Sequence, residues 1–209
     1  MAANFLGLIA STLFFTDCML PASYEHHVIG DFGHIEVRRS KAQVNGFVVG
    51  VPHGATEPDA IDYAKTISDE TGAGIVIASG FKSKQIAVAQ PLLHNSPIGW
   101  GSTASIRPRS IYSDFKNLLR SSAVGPLKFY VEFRTARAAT QSPRIEVASA
   151  GFSFEQLLEL KHSFTKIESE STRAHQVLPV ELMINPLDTI SWNAFGVENH
   201  GVLMLASGD

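Results

Sequence analysis

The chain has 209 residues, 44% of them hydrophobic and 18% charged, with a formal net charge of -3 and a single cysteine, Cys18. That length can bury one good core. The scattered Lys and Arg leave no basic stripe to neutralise a phosphate backbone, which argues against nucleic acid as a partner, and one cysteine excludes an internal disulfide or a thiolate metal cluster. Residues 1–22 contain an apolar run from Phe5 to Phe15. It is too short to cross a bilayer core of about 30 Å as a helix, so no transmembrane segment is expected. Two readings of it stand, a signal-peptide core or a buried first element of the fold. No charged n-region precedes the run, and Asp17 stands where a lipoprotein cleavage box would need a small residue before Cys18. The compartment is therefore open between cytoplasm and export, and residues 23–209 are read as one domain.

In "HIEVRRSKAQVNGFVVGV", 34–51, Ile35 and Val37 alternate, Asn45-Gly46 marks a turn, and Phe47 opens a nearly continuous apolar run. The pattern predicts a hairpin feeding a strand buried on both faces. In "TEPDAIDYAKTISDETGAG", Thr56 is a helix cap, Pro58 suits the first turn, and Asp59 favours the positive helix end. Ile61, Ala64 and Ile67 recur on one side, and Gly72 is a stop. "GIVIASG" is a second core strand, so 48–78 reads as a strand–helix–strand unit with its strands paired in parallel. After Phe81 a short strand and a long loop carry Pro91, Pro97 and Pro108. "SIYSDFKNLLRSS" is a helix with Ile111, Phe115, Leu118 and Leu119 inward, and "LKFYVEF" and "RIEVASAGF" are strands. Ser153 with Gln156 has capping-box spacing and opens a helix through Leu157, Leu160, Phe164 and Ile167. "PVELMI", "ISWNAFG" and "HGVLMLA" supply the last strands. The order of elements predicts an α/β domain, a mainly parallel central sheet flanked by helices.

In "VVGVPHGATEPDA", 48–60, His53 and Glu57 fall where a strand ends and a helix begins. Ligands of open α/β sheets bind beyond the carboxyl ends of strands, and a helix start presents unpaired N–H groups to an anion. Imidazole and carboxylate both ligate zinc. The alternative is a loop histidine bonded to backbone and a glutamate that favours the helix dipole, and the spacing by itself does not choose between them.

The blocks "VPHGATEPDAIDYAKTISDETGAGIVIASGF" and "GPLKFYVEFRTARAATQSPRIEVASAGFS" resemble the N-formylglutamate amidohydrolase-like group, relatives of zinc carboxypeptidases and poly-gamma-glutamate hydrolases. The resemblance runs from about Gly46 to Leu205. It implies a zinc-carboxypeptidase-like α/β fold and a zinc site in which His53 and Glu57 are ligands. Two positions depart from the group's pattern. Where an Asn-Arg-Pro segment would hold the substrate carboxylate, this chain has Ala89-Gln90-Pro91, so Gln90 replaces the arginine. Where a third-ligand histidine would stand, "VEFR" has Arg134, whose fixed charge repels zinc and suits Glu57 or a bound carboxylate.

Other residues carry paired readings. Glu132 shares a strand face with Arg134 and is either a substitute ligand or base, or half of an ion pair. Glu146, among apolar neighbours in "RIEVAS", is either a general base raised by burial or a salt-bridge partner of Arg144 or Arg137. His94 is a replacement ligand or a solvated loop residue. His26, His27 and His162 read as surface, and His200 as a turn residue. Two functions follow. In one, the protein is a zinc-dependent amidohydrolase or carboxypeptidase-like hydrolase, with small acidic or N-acylated amino-acid or peptide substrates and a glutamate taking a proton from zinc-bound water. In the other, it is a non-catalytic member that binds a carboxylate through Arg134 or serves as an interaction domain.

Overall fold

A computed structural model describes residues 23–29, 33–54, 56–81, 106–135, 143–175 and 178–190. These fall into two compact units, 23–135 and 143–190. The expected elements within 1–22, the short strand after Phe81, and the strands "ISWNAFG" and "HGVLMLA" lie outside the described residues.

The first unit is built on five strands: β1 (Glu25–Ile29), β2 (Gly33–Arg38), β3 (Phe47–Val51), β4 (Gly74–Ser79) and β5 (Phe129–Glu132), in the spatial order β1-β2-β4-β3-β5. Parallel pairing of β3 with β4 matches the expected strand–helix–strand unit, and β5 adds in parallel on the other side of β3. The sheet as a whole is mixed rather than mainly parallel, because β2 runs antiparallel to both β1 and β4. The expected hairpin across Asn45-Gly46 is also corrected. β2 lies on the far side of β4 from β3, and its hairpin partner is β1. The physical reason is in residues 39–46. They contain a single 3-10 turn, Ala42–Val44, and run beneath the amino ends of the parallel strands, where Ser40 N–H donates to Ser122 O and Lys41 N–H to Gly72 O, each at 2.8 Å. Backbone groups that would have paired β2 with β3 find partners at the helix ends instead.

Helix α1 (Pro58–Thr71) covers one sheet face and α2 (Ile106–Ser122) the other. The α1 contact line is Ala60, Ala64 and Ser68, spaced by four, with Ile61 and Ile67 only half-buried. Small residues on that line let the helix approach Val49, Val51, Ile75 and Ile77, all buried. The stop is as expected: Gly72 is left-handed at φ 76°, and its N–H closes on Ser68 O at 2.9 Å. The start is not. Glu57 holds the cap position, and the Thr56 hydroxyl donates backwards to His53 O at 3.1 Å. On the opposite face Ile111, Phe115 and Leu119 of α2 pack with Ile35, Val37, Val48, Val76, Ala78 and Tyr130.

The second unit pairs β6 (Arg144–Ala148) in parallel with β7 (Glu181–Asn185) under helix α3 (Phe154–His175). The capping box forms: Ser153 N–H donates to Gln156 Oε1 at 2.8 Å, and Gln156 N–H to Ser153 Oγ at 3.3 Å. Leu157, Leu182 and Ile184 make its core with Leu160 and Phe164, whereas Ile167, expected inward, is half-exposed. Asp188 joins helix to strand, accepting from Lys161 Nζ at 2.6 and 2.5 Å and from Ile184 N–H at 2.9 Å. Those Lys161 bonds, then the Ile184 bond, hold its carboxyl below the usual range. A depressed folded pKa gives a contribution that is full above the unfolded value of about 3.9 and fades as pH falls through the folded one. Asp188→Asn is therefore expected to lower the urea midpoint near neutrality, with the difference from the unaltered protein shrinking below about pH 3.

Candidate functional site

At the carboxyl end of the parallel strands, polar side chains from β5, the segment after it and the start of α1 come together. β5 runs beside β3 in the register Val48↔Tyr130 and Gly50↔Glu132, so Tyr130 and Glu132 project from one face. Gly50 is required by that neighbour, since a Cβ there would lie 2.1 Å from Tyr130 Oη. The Tyr130 hydroxyl donates to Glu132 Oε2 at 3.2 Å. Burial, reinforced by the Glu132 charge and that hydrogen bond, pushes the phenol well above its ordinary value of 10 and keeps it a neutral donor.

Beyond β5 the chain turns back toward α1, and Arg134 lies between two carboxylates. Its Nη1 donates to Glu132 Oε1 at 3.0 Å, and its Nε is 3.8 Å from Glu57 Oε1. Glu57 Oε2 accepts from Thr135 N–H at 3.3 Å. Thus the cap residue of α1 has turned its carboxylate away from the helix N–H groups and toward the segment after β5. His53 follows β3 in the turn at Pro52–Gly54, half-buried, with Nδ1 shielded from solvent. That turn is fixed by Gly54 N–H to Ala78 O at 2.9 Å and by Thr56 N–H to His53 O at 3.0 Å.

Of the residues singled out from sequence, the fold brings together Glu57, Glu132 and Arg134, and it puts His53 in the same strand-to-helix connection as Glu57. Glu146 lies on β6 of the second unit, where Arg144 Nη2 meets its Oε1 at 2.7 Å. Gln90, His94, Arg137 and His200 lie outside the described residues. His162 is exposed on α3 and His26 exposed on β1, as expected, while His27 is half-buried. Tyr130 and Thr135 were not singled out; the one hint of Tyr130 was a glycine in the facing strand.

Glu57 and Glu132 share one guanidinium, which supplies the positive charge a bound cation would otherwise bring. Among the described residues, no set of three ligand-type side chains that includes His53 or Glu57 has its donor atoms within 4.8 Å of one another. The Arg134–Glu132 contact is a hydrogen-bonded ion pair. The Arg134–Glu57 contact, at 3.8 Å, is an ion pair without a hydrogen bond, and so the more easily exchanged of the two. Comparison with family models, with curated proteins and with solved structures gives no significant match.

Proposed function

We propose that this chain is a non-catalytic relative of the N-formylglutamate amidohydrolase-like group that binds a small carboxylate-bearing molecule at the carboxyl ends of β3 and β5. The observation that carries this reading is the position of Arg134 between Glu57 and Glu132. A guanidinium is a permanent cation with a planar fork suited to carboxylates. An incoming carboxylate replaces the loose Glu57 contact while Glu132 keeps the fork oriented. The zinc-carboxypeptidase-like fold assignment rests on the resemblance, and the parallel β4-β3-β5 core supports it.

The second reading is the zinc-dependent amidohydrolase acting on an N-acyl amino acid or peptide-like amide. It is favoured by His53 and Glu57 in one connection with Glu132 beside it. There His53 and Glu57 would hold zinc, which lowers the pKa of a bound water to about 7, and Glu132 would take the proton. Guanidinium repulsion and the missing third ligand count against it.

One experiment separates the two. N-formylglutamate is titrated calorimetrically into the unaltered protein and into Arg134→Lys, with hydrolysis followed in the same samples. Binding without turnover, weakened roughly tenfold by loss of the two-pronged contact, is expected. Arg134→His should add a zinc equivalent that disappears again when His53→Gln is combined with it, because a ligand contributes directly to metal free energy. Turnover by the unaltered chain would replace the first reading with the second.

A further inference from the structure

We propose a separate metal site on the β1–β2 hairpin, formed by His26, His34 and Glu36 and selective for a divalent transition ion such as zinc. In the antiparallel register His26 on β1 stands opposite Glu36 on β2, and His34 is two residues before Glu36. The strand pleat therefore puts all three side chains on one face of the sheet. A nitrogen of each imidazole and an oxygen of the carboxylate all lie within 4.8 Å of one another, and His34 Nε2 is 3.4 Å from Glu36 Oε1. Metal bonds of about 2.0–2.2 Å in a tetrahedron set donor atoms roughly 3.3–3.6 Å apart. One pair already has that separation. The other two pairs lie within 4.8 Å, so they need to close by at most about 1.5 Å.

The surroundings favour an ion over a chance surface cluster. On the other face of β2, Ile35 and Val37 are buried in the core, so the strand that presents His34 and Glu36 is fixed. Lys65 Nζ lies 3.6 Å from Glu36 Oε2, leaving Oε1 turned to His34. Arg38, the other cation on this face, is engaged by Asp69 and Ser68 and lies over the Tyr24 ring. Two imidazoles and one carboxylate make a nitrogen-rich set suited to zinc and its neighbours in the first transition row, whereas calcium and magnesium prefer oxygen throughout. Three protein ligands leave a position open, and because His26 is exposed that position faces solvent. A bound ion also fastens β1, an edge strand, to β2.

The test is calorimetric titration of zinc chloride into the full chain at neutral pH, with His26→Gln, His34→Gln and His53→Gln alongside. One equivalent is expected in the unaltered protein and in His53→Gln. Binding should weaken tenfold or more in each of the other two, since losing a direct ligand costs at least as much as losing an outer-shell partner. Zinc should also raise the melting temperature of the unaltered chain and move the ring resonances of His26 and His34, a readout that needs no variant to fold. No zinc heat in the unaltered chain, ring resonances that do not move, or loss of zinc in His53→Gln with retention in the β1–β2 variants would overturn the proposal. The outcome is independent of the Arg134 experiment, which reads a carboxylate ligand and a zinc equivalent that depends on His53.

Discussion

Phe115→Ala is expected to cost the first unit about 3–5 kcal/mol, the range for truncating a large aromatic side chain in a packed interior. Phe115 is wholly buried midway along the inward stripe of α2, between Ile111 and Leu119. It belongs to a buried cluster with residues of β2, β3 and β4, so a cavity there is lined by elements held by the sheet and by α2 itself and cannot collapse freely. Domains are stable by only about 5–15 kcal/mol, so the variant should be close to half-unfolded in mild denaturant. Urea unfolding followed by circular dichroism gives the measurement. Phe115→Leu, which retains most of the volume, should lose far less. A cost below about 1 kcal/mol for the alanine would mean that α2 does not seat Phe115 against this face.

Arg134→Met should destabilise by about 2–4 kcal/mol. Removing one partner of a buried ion pair typically costs about 3–5 kcal/mol because the other charge is left uncompensated. Here the Glu132 side chain is 6% exposed and Glu57 13%, but Arg134 is 35% exposed, so solvent screening reduces the expectation. Two carboxylates would then face one another without a cation between them. Adding Glu132→Gln to that variant should recover most of the loss, since it removes one of the two charges and keeps an acceptor for Tyr130. Recovery marks electrostatics as the cause; no recovery would assign the loss to the packing of the arginine stem.

How much of this was legible in the sequence depended on whether the signal was local. β3, α1 and β4 could be read because an all-apolar strand, a proline-led helix with a glycine stop and a second apolar strand each announce themselves within a few residues. That Arg134 meets Glu57 was also expected, through a resemblance that put Arg134 of "VEFR" where a third-ligand histidine would stand beside His53 and Glu57. What the sequence hid was long-range. "EHHVI" is too polar to read as a strand, and it becomes one only because β2 offers it a hydrogen-bonding edge. For the same reason His26 and Glu36, ten residues apart, could not be recognised as neighbours before their register was known. The place of β2 beside β4 was decided by the anchoring of residues 39–46 at the helix ends, a contact across about 80 residues from Ser40 to Ser122 that no local pattern encodes. Thr56 misled for the opposite reason: its hydroxyl satisfied a carbonyl in its own turn, a local competitor to capping.

That same short connection gives the sheet two unlike ends. Beneath the amino end, Ser40 N–H and Oγ bond Ser122 O and Ala123 O, Lys41 N–H bonds Gly72 O, and Gly46 receives Lys128 and Phe129 N–H while donating to Ala123 O. Both helices and three strands are thereby tied to eight residues, mostly through main-chain atoms; Ser40 adds its hydroxyl, and Gly46, at φ 83° with Pro126 O 2.6 Å from where a Cβ would stand, must remain glycine. Rigidity of this kind is written largely in main-chain atoms and tolerates substitution wherever a side chain is neither bonded, as at Ser40, nor forbidden, as at Gly46. At the opposite end the contacts between elements run through the side chains of Glu57, Glu132 and Arg134, so single substitutions there change its charge while the foundation below stays in place.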